Sequence, residues 1–483
     1  MDQSKMPLVE ALQEYVSKAS VSMHIPGHKN GMGMEPDFKN FLGENAFKAD
    51  ATEVHGLDDL HQPSGVIRTA QQLAAEAWGA DETFFLVNGT TSGIIAALTA
   101  VANEGDQIII PRNAHKSVYM ALIISGAVPI YIQPEIDYEH GIIGGLNLET
   151  VEMTFRQNPD AKAIYVINPT YYGICSDVEK IAAIAHSYGA LVIADEAHGS
   201  HLYFNERLPK GAMACGADVS IQSTHKMAGS LTQSSMLHVK SGSFDLSKLK
   251  TNLAMMQSTS PSYLLMASLD AARRHMVING SAILEKLLNL AEQTQLELSV
   301  IKGIECLNRD LIGRHGIWDF EPLRLIISAR KLGINGYDLY EKLYSDYGIE
   351  AEFADHFHCI CILGTGTQTE DAKKLLEAVM DISDKNQIPG EDLDWSYKLP
   401  LMPPAVLKPR TAYFAKRETI PWRCAIGRIT AEMIIPYPPG IPVICSGEMI
   451  TPEVWAFLDQ LRKEGRHLHG PVNGVLDFID VVV

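Results

Sequence analysis

The sequence predicts an α/β protein: a mostly parallel sheet covered by helices on both faces, followed by a smaller α+β domain and a C-terminal region. Three observations predict it. Short apolar runs alternate with helical patterns from Thr83 onward, the rhythm of strands joined by crossover helices. The length of 483 residues is too great for one compact core and points to about three domains or sub-domains. Hydrophobic residues make up 46% and charged residues 20%, the balance of a soluble globular protein with ample material for a core.

Residues 1–20 read as an N-terminal helix or arm. Val21 to Phe41, rich in Gly, Pro and Met around His24-Ile25-Pro26-Gly27-His28-Lys29-Asn30-Gly31, reads as a loop that opens a large domain, 21–285. Within it Thr83 to Val87, Gln107 to Ile110, Ala163 to Ile167, Ala190 to Ala194 and Val219 to Ile221 read as strands, with helices at Thr91 to Val101 and Val178 to Ser187. Ser260-Pro261 is a helix start, and the amphipathic stretch from Pro261 to Ile301 is expected to lead into the next domain. That domain, 286–385, mixes strands (Leu323 to Ser328, Cys359 to Leu363) with helices (Gly336 to Asp346, Thr369 to Ile382). Ser383 to Asp394, polar and containing Pro389-Gly390, reads as a linker to a final region, 395–483.

Composition excludes several function classes. A formal charge of −18 argues against a nucleic-acid partner and mildly favours cationic ligands. No apolar run approaches the ~20 residues that span a bilayer, so no membrane partner is expected. Met1 to Leu12 lacks the continuous apolar stretch of a secretory signal, and a cytoplasmic protein is expected. The seven cysteines are scattered and without metal-type spacing, which fits reduced thiols and no bound metal.

The chemistry is carried by motifs at the C-terminal ends of predicted strands, the edge at which open parallel sheets bind ligands. Ser223-Thr224-His225-Lys226 closes the apolar run Ala217 to Gln222. A lysine that holds an aldehyde as an imine needs a lowered pKa, which a partly desolvated pocket and a neighbouring cationic group can give. Ser223 and His225 flank it and are expected to donate to a phosphate. Asp195, in Asp195-Glu196-Ala197-His198-Gly199, ends the run Ala190 to Ala194. A carboxylate at a buried strand end needs a cation, and a protonated pyridine nitrogen is one. His198 joins the expected cofactor contacts, whereas Glu196 should point the other way along the strand and serve structure.

Asn88-Gly89-Thr90-Thr91-Ser92 lies between a strand and a helix, where free backbone N–H groups and the hydroxyls of Thr90, Thr91 and Ser92 make a phosphate cradle. An ordinary helix cap remains the plainer alternative. His115, in Arg112-Asn113-Ala114-His115-Lys116-Ser117, is placed to stack on a ring, with a satisfied loop histidine equally compatible. Thr170, in Asn168-Pro169-Thr170-Tyr171-Tyr172-Gly173, is placed to reach a phenolate oxygen or to stabilise a turn. Phosphate cradle, pyridinium carboxylate, stacking histidine and imine lysine together specify pyridoxal 5′-phosphate.

These residues, in this order, resemble the bacterial ornithine/lysine/arginine decarboxylase family of fold type I pyridoxal-phosphate enzymes. The resemblance rests on His24-Ile25-Pro26-Gly27-His28, Asp195 to Gly199, Ser223 to Lys226 with Gln233-Ser234-Ser235 downstream, and Gly427-Arg428-Ile429-Thr430-Ala431-Glu432 followed by Tyr437-Pro438-Pro439-Gly440. It implies a large cofactor domain, a small α+β domain, a C-terminal α+β domain and a homodimer or higher homo-oligomer with shared active sites. It implies Lys226 as the imine lysine, Asp195 as the partner of the pyridine nitrogen and His115 as the stacking residue. Thr90, Thr91, Ser223 and His225 would hold the phosphate. The chain enters the family pattern by about residue 20, so it resembles the short biosynthetic form without a receiver-like wing domain, and a wing-mediated decamer is not expected.

The resemblance also implies loss of the α-carboxylate of a basic amino acid as carbon dioxide, with His225, Lys226 or water returning a proton to the α-carbon. Glu352 resembles a family position near the substrate's far end, and Asp58 and Asp59 are candidates from a partner subunit, with a helix-capping pair as the alternative. L-arginine to agmatine, for polyamine synthesis, is the first expectation; lysine to cadaverine and ornithine to putrescine follow. An aminotransferase or carbon–sulfur lyase of the same fold type is the remoter enzyme reading, and a catalytically silent regulator the reading from another class.

Overall fold

The computed structural model describes residues 1–242, 244–386, 402–436, 440–471 and 474–483. The expected linker at Pro389-Gly390 and the motif residues Tyr437, Pro438 and Pro439 lie outside them. The chain divides into two contact-dense units, each drawn from two stretches of sequence: 1–100 with 193–285, and 101–192 with 286–483.

The strands that carry the first unit lie in the order Glu82–Leu86, Ser235–Val239, Val219–Gln222 and Leu191–Asp195, the last belonging to it from Ile193 onward. The last two are parallel, with Asp195 in register with Ile221. Both pairings through Ser235–Val239 are antiparallel, the exceptions in the mostly parallel sheet that the sequence predicts. The N-terminal helix Pro7–Ser17 begins on a proline suited to the first helical position and buries Leu8 and Leu12, one turn apart on one face. They join Leu57, Ile67, Trp78, Phe85, Tyr263 and Met266 in one core cluster. Burying each such leucine stabilises the fold by about 1.5–3 kcal/mol. The fully buried Asp270–Arg273 pair, 2.6 Å apart, anchors the same arm: Asp270 accepts from the Leu8 amide and Arg273 donates to the Gln3 carbonyl.

A polar chain crosses the interior of this sheet. Thr83 sits opposite His238 and hydrogen-bonds its Nδ1 at 2.8 Å, while His238 Nε2 reaches Gln222 Oε1 at 3.1 Å and Trp78 stacks on the imidazole. Burial pushes the His238 pKa down to about 3 from 6.5. Between those values the unfolded chain binds a proton that the folded chain refuses, so stability is full above pH 6.5 and falls as the pH drops below it. Urea unfolding at about pH 7 and about pH 5 should show the wild type losing roughly 2 kcal/mol more than His238→Gln; parallel losses would contradict this.

The second unit carries Gln107–Pro111 paired in parallel with both Val128–Ile132 and Ala163–Ile167. An antiparallel sheet in the order Glu305–Leu307, Arg324–Ser328, Cys359–Ile362, Phe353–Ala354 supplies the expected α+β pattern, with helices Gly336–Tyr347 and Thr369–Lys385. Arg417–Pro421 pairs with Phe478–Val482, and a core of Trp422, Ile434, Ile444, Val454 and Leu458 forms beneath helix Pro452–Lys463. Buried Arg112 donates to Glu448 at 2.8 Å, to Tyr119 and to the Val443 carbonyl, fastening the exit of Gln107–Pro111 to the C-terminal segment. The long expected helix runs Tyr263–Val300. Val21 to Phe41 is not all loop: Pro36–Leu42 is a helix capped by the Glu35 side chain. All seven cysteines are free, and no helix among the described residues is long and apolar enough to cross a membrane.

Candidate active site

The parallel pair that ends in Asp195 and Gln222 places two motifs side by side in the first unit. After Gln222 the chain leaves the strand and makes one helical turn, Thr224–Met227, in which the Lys226 amide donates to the Ser223 carbonyl at 3.0 Å. Lys226 therefore sits on a helical turn just past the strand, not on the strand itself. Asp195 is 5% exposed, and its Oδ1 accepts from the Ala197 amide at 3.0 Å. Three residues later His198, buried, brings Nε2 to 2.9 Å from Lys226 Nζ. An ammonium only donates, so a protonated Lys226 requires His198 to accept at Nε2. His198 thus physically joins the aspartate and lysine motifs.

A hydroxyl cluster lies at the start of helix Gly89–Val101. Gly89, at φ +73°, turns the chain out of Glu82–Leu86 into the helix. Thr90 Oγ1 meets Ser223 Oγ at 2.6 Å and Ser235 Oγ at 3.1 Å, all three residues being buried. Ser223 does not cap its own short helix; its hydroxyl goes to this cluster. Ser92 Oγ is taken up by the Gly89 carbonyl at 2.8 Å, and Thr91 is exposed on the first turn. Ser235 was not among the expected site residues, although it stands in the Gln233-Ser234-Ser235 motif.

His225 departs from its expected role. Its Nδ1 lies 2.8 Å from the Ser234 carbonyl, which only accepts, so Nδ1 carries the proton. Burial lowers its pKa, with the neighbouring Lys226 charge acting the same way, and Nε2 then presents a lone pair. Donation to a phosphate from Nε2 would need a second proton that this environment opposes.

Glu196 follows the alternation read from sequence. Fully buried, it accepts from Ser220, Tyr203, Gln222 and the Ala212 amide, and burial raises its pKa. Asp58, at φ +70°, spends its carboxylate on the amides of Ser64, Gly65, Ile67 and Arg68 at the start of helix Val66–Ala77, and these bonds hold its pKa down against burial. Asp59 accepts from the His61 amide. Asp58 thus serves the first turn of that helix, and Asp59 the bend at His61.

The remaining candidates belong to the second unit. His115 caps helix Lys116–Ser125, its Nδ1 accepting from the Ser117 amide at 3.3 Å and lying 2.9 Å from the Ser117 hydroxyl. That leaves the ring fixed at a loop-to-helix junction. Thr170 Oγ1 accepts from the Ile174 amide at 3.2 Å, closing the turn after Ala163–Ile167. Glu352 is exposed, immediately before Phe353–Ala354, and its amide donates to the Ile360 carbonyl at 2.9 Å. Sequence reasoning did not single out Asp355, which accepts from Tyr172 at 2.5 Å and from the Phe357 and His358 amides; the charge of His358 helps hold its pKa down despite burial.

A primary amine, a nearly buried carboxylate and a hydroxyl cluster at a helix start form the chemical complement of an aldehyde, a pyridinium and a phosphate. The residues present fit pyridoxal 5′-phosphate. The model of the Orn/Lys/Arg decarboxylase major domain matches residues 6–371, and that of the family's C-terminal domain residues 396–474. The chain is 43% identical to an arginine decarboxylase of Bacillus subtilis, over all of this chain and 99% of that protein. It is 41% identical to an arginine decarboxylase of Halalkalibacterium halodurans, over 99% and 98% of the two chains. The lysine decarboxylase LdcF of Francisella novicida superposes with a TM-score of 0.86, covering 99% of this chain and 81% of that one at 24% identity, which shows the shared fold. The matched models span both ends of the described fold, and the chain belongs to the Orn/Lys/Arg decarboxylase family of pyridoxal-phosphate-dependent enzymes.

Proposed function

We propose that the protein decarboxylates L-arginine to agmatine and carbon dioxide, in polyamine synthesis, with Lys226 as the residue that holds the cofactor. The observation that carries the choice of substrate is the gradient among relatives. Four arginine decarboxylases are 39–43% identical to the chain, whereas lysine decarboxylases are 25–26% identical.

When bound, pyridoxal 5′-phosphate supplies an electron-accepting ring for the electron pair released as carbon dioxide departs. The side chains divide the remaining work. Lys226 Nζ forms the covalent attachment, and His198 Nε2, 2.9 Å away, orients that amine. Asp195 supplies the anion for the ring nitrogen, its burial strengthening that attraction by excluding water. Thr90, Ser223 and Ser235 offer hydroxyl donors to the phosphate beside the helix N-terminus. His225 Nε2, unprotonated at neutral pH, is able to accept a proton, and Lys226 Nζ to return one. His115, Thr170 and Glu352 keep their proposed roles in ring stacking, oxygen contact and substrate recognition.

A homo-oligomer, at least a dimer, completes the proposal. Val21, Met23, Met32 and Phe41 are each more than 80% exposed in one short segment, an apolar surface of the kind that subunit association covers. A cytoplasmic location accords with free cysteines.

Incubating the purified holoenzyme separately with arginine, lysine and ornithine, and identifying the amines formed, tests the reading. Agmatine should form with kcat/KM at least about tenfold above that for the other products. Cadaverine or putrescine as the dominant product would overturn the substrate, and keto acids without carbon dioxide would overturn the reaction.

A further inference from the structure

Glu196 is a fully buried carboxylate that the chemistry above does not use, placed between Asp195 and His198. Its Oε1 accepts from the Ala212 amide at 2.7 Å, and its Oε2 from Ser220 Oγ at 2.5 Å, Tyr203 OH at 2.5 Å and Gln222 Nε2 at 3.0 Å. One donor on Oε1 and three on Oε2 tie the carboxylate at both oxygens. Burial raises its pKa, and these bonds act in the opposite direction.

The polar chain through the sheet points the same way. Because Gln222 directs its NH2 at Glu196, its Oε1 must accept from His238 Nε2, and His238 Nδ1 must accept from the Thr83 hydroxyl. Each link thus donates toward Glu196, and such chains strengthen one another. The same residue starts the turn that presents His198: the Gly199 amide donates to the Glu196 carbonyl at 2.8 Å, and the Glu196 amide to the Ile221 carbonyl at 2.9 Å.

We propose that Glu196 is a positioning residue: its carboxylate, anchored on four donors, fixes the Glu196–Gly199 turn that holds His198 against Lys226 Nζ. This rests on the assignment of Lys226 to the active site. Glutamine has nearly the same shape but replaces one acceptor with a donor, and the Ala212 amide can only donate, so Glu196→Gln must break or reverse part of the network. Ser220→Ala removes one donor and leaves the carboxyl group in place.

Hydrogen exchange of the holoenzyme, read by mass spectrometry, should show peptides covering 196–199 and 223–227, with those holding its partners Tyr203, Ala212, Ser220 and Gln222, exchanging at least about tenfold faster in Glu196→Gln, and peptides remote from this network unchanged. Its kcat should fall roughly 10- to 100-fold with KM within about threefold, as expected when a reacting group is misplaced rather than binding lost. Ser220→Ala should show the same pattern, severalfold weaker, and decides the matter if Glu196→Gln does not fold. Unchanged exchange in these peptides, or a rise in KM without a fall in kcat, would overturn the proposal. The exchange readout does not depend on which amino acid is turned over, so a failure of the arginine reading would be seen separately.

Discussion

Replacing Lys226 with alanine is expected to lower carbon dioxide release from arginine by roughly 10²- to 10⁴-fold, the range lost when a positioned proton-transfer group is removed, with the loss of covalent cofactor attachment added to it. The fold should survive. Lys226 is only half-buried, and the helical turn Thr224–Met227 is held by backbone bonds from Lys226 to Ser223 and from Ala228 to Thr224 that alanine preserves. His198 loses a partner at Nε2, but its backbone stays in the turn closed by Gly199. Circular dichroism and thermal unfolding should match the cofactor-free wild type while cofactor is lost on gel filtration. Activity within about tenfold of wild type would remove Lys226 from the central role.

Asp195→Asn is expected to lower kcat by roughly 10²- to 10³-fold while leaving the protein folded and able to bind the cofactor. The amide keeps the shape and an oxygen that accepts from the Ala197 amide, so the turn after Leu191–Asp195 persists. What it loses is a full negative charge at a site 5% exposed, where water does not screen it. The effect should fall on kcat more than on KM, because the role proposed for the carboxylate is to pair with the ring nitrogen and not with the substrate's far end. Asp195→Glu should not rescue fully, since one added methylene displaces the charge. A variant Asp195→Asn with kcat within about threefold of wild type would show that the charge is dispensable.

Much of this arrangement was legible before any coordinates. Ala163–Ile167 and Val178–Ser187 fall on the expected residues, the latter because Asp177 caps the helix at Lys180 and apolar positions recur at helical spacing. Ser235–Val239 escaped notice because Ser235 and His238 interrupt its apolar pattern, and both are buried for polar contacts that sequence alone does not reveal. Val128–Ile132 contains Pro129, which hid a strand. Pro36–Leu42 was obscured by surrounding Gly, Pro and Met, although Glu35-Pro36 is a usable start signal.

The site divides in the same manner. Strand ends and motif chemistry marked Asp195, Lys226, Thr90 and Ser223 without coordinates. The His198–Lys226 contact joins residues 28 apart in sequence and depends on the parallel pairing of two strands. The tautomer of His225 depends on the Ser234 carbonyl, a backbone group that carries no signal in residue identity. Asp58 looked equally apt for substrate or cap until its four backbone partners were seen.

Borohydride reduction of the holoenzyme followed by proteolysis and mass spectrometry tests the central claim most directly, because it fixes the cofactor to whichever amine holds it. The peptide containing Ser223-Thr224-His225-Lys226 should carry the reduced pyridoxyl group on Lys226, and no other lysine should. A label on a different lysine, or none on any, would contradict the account.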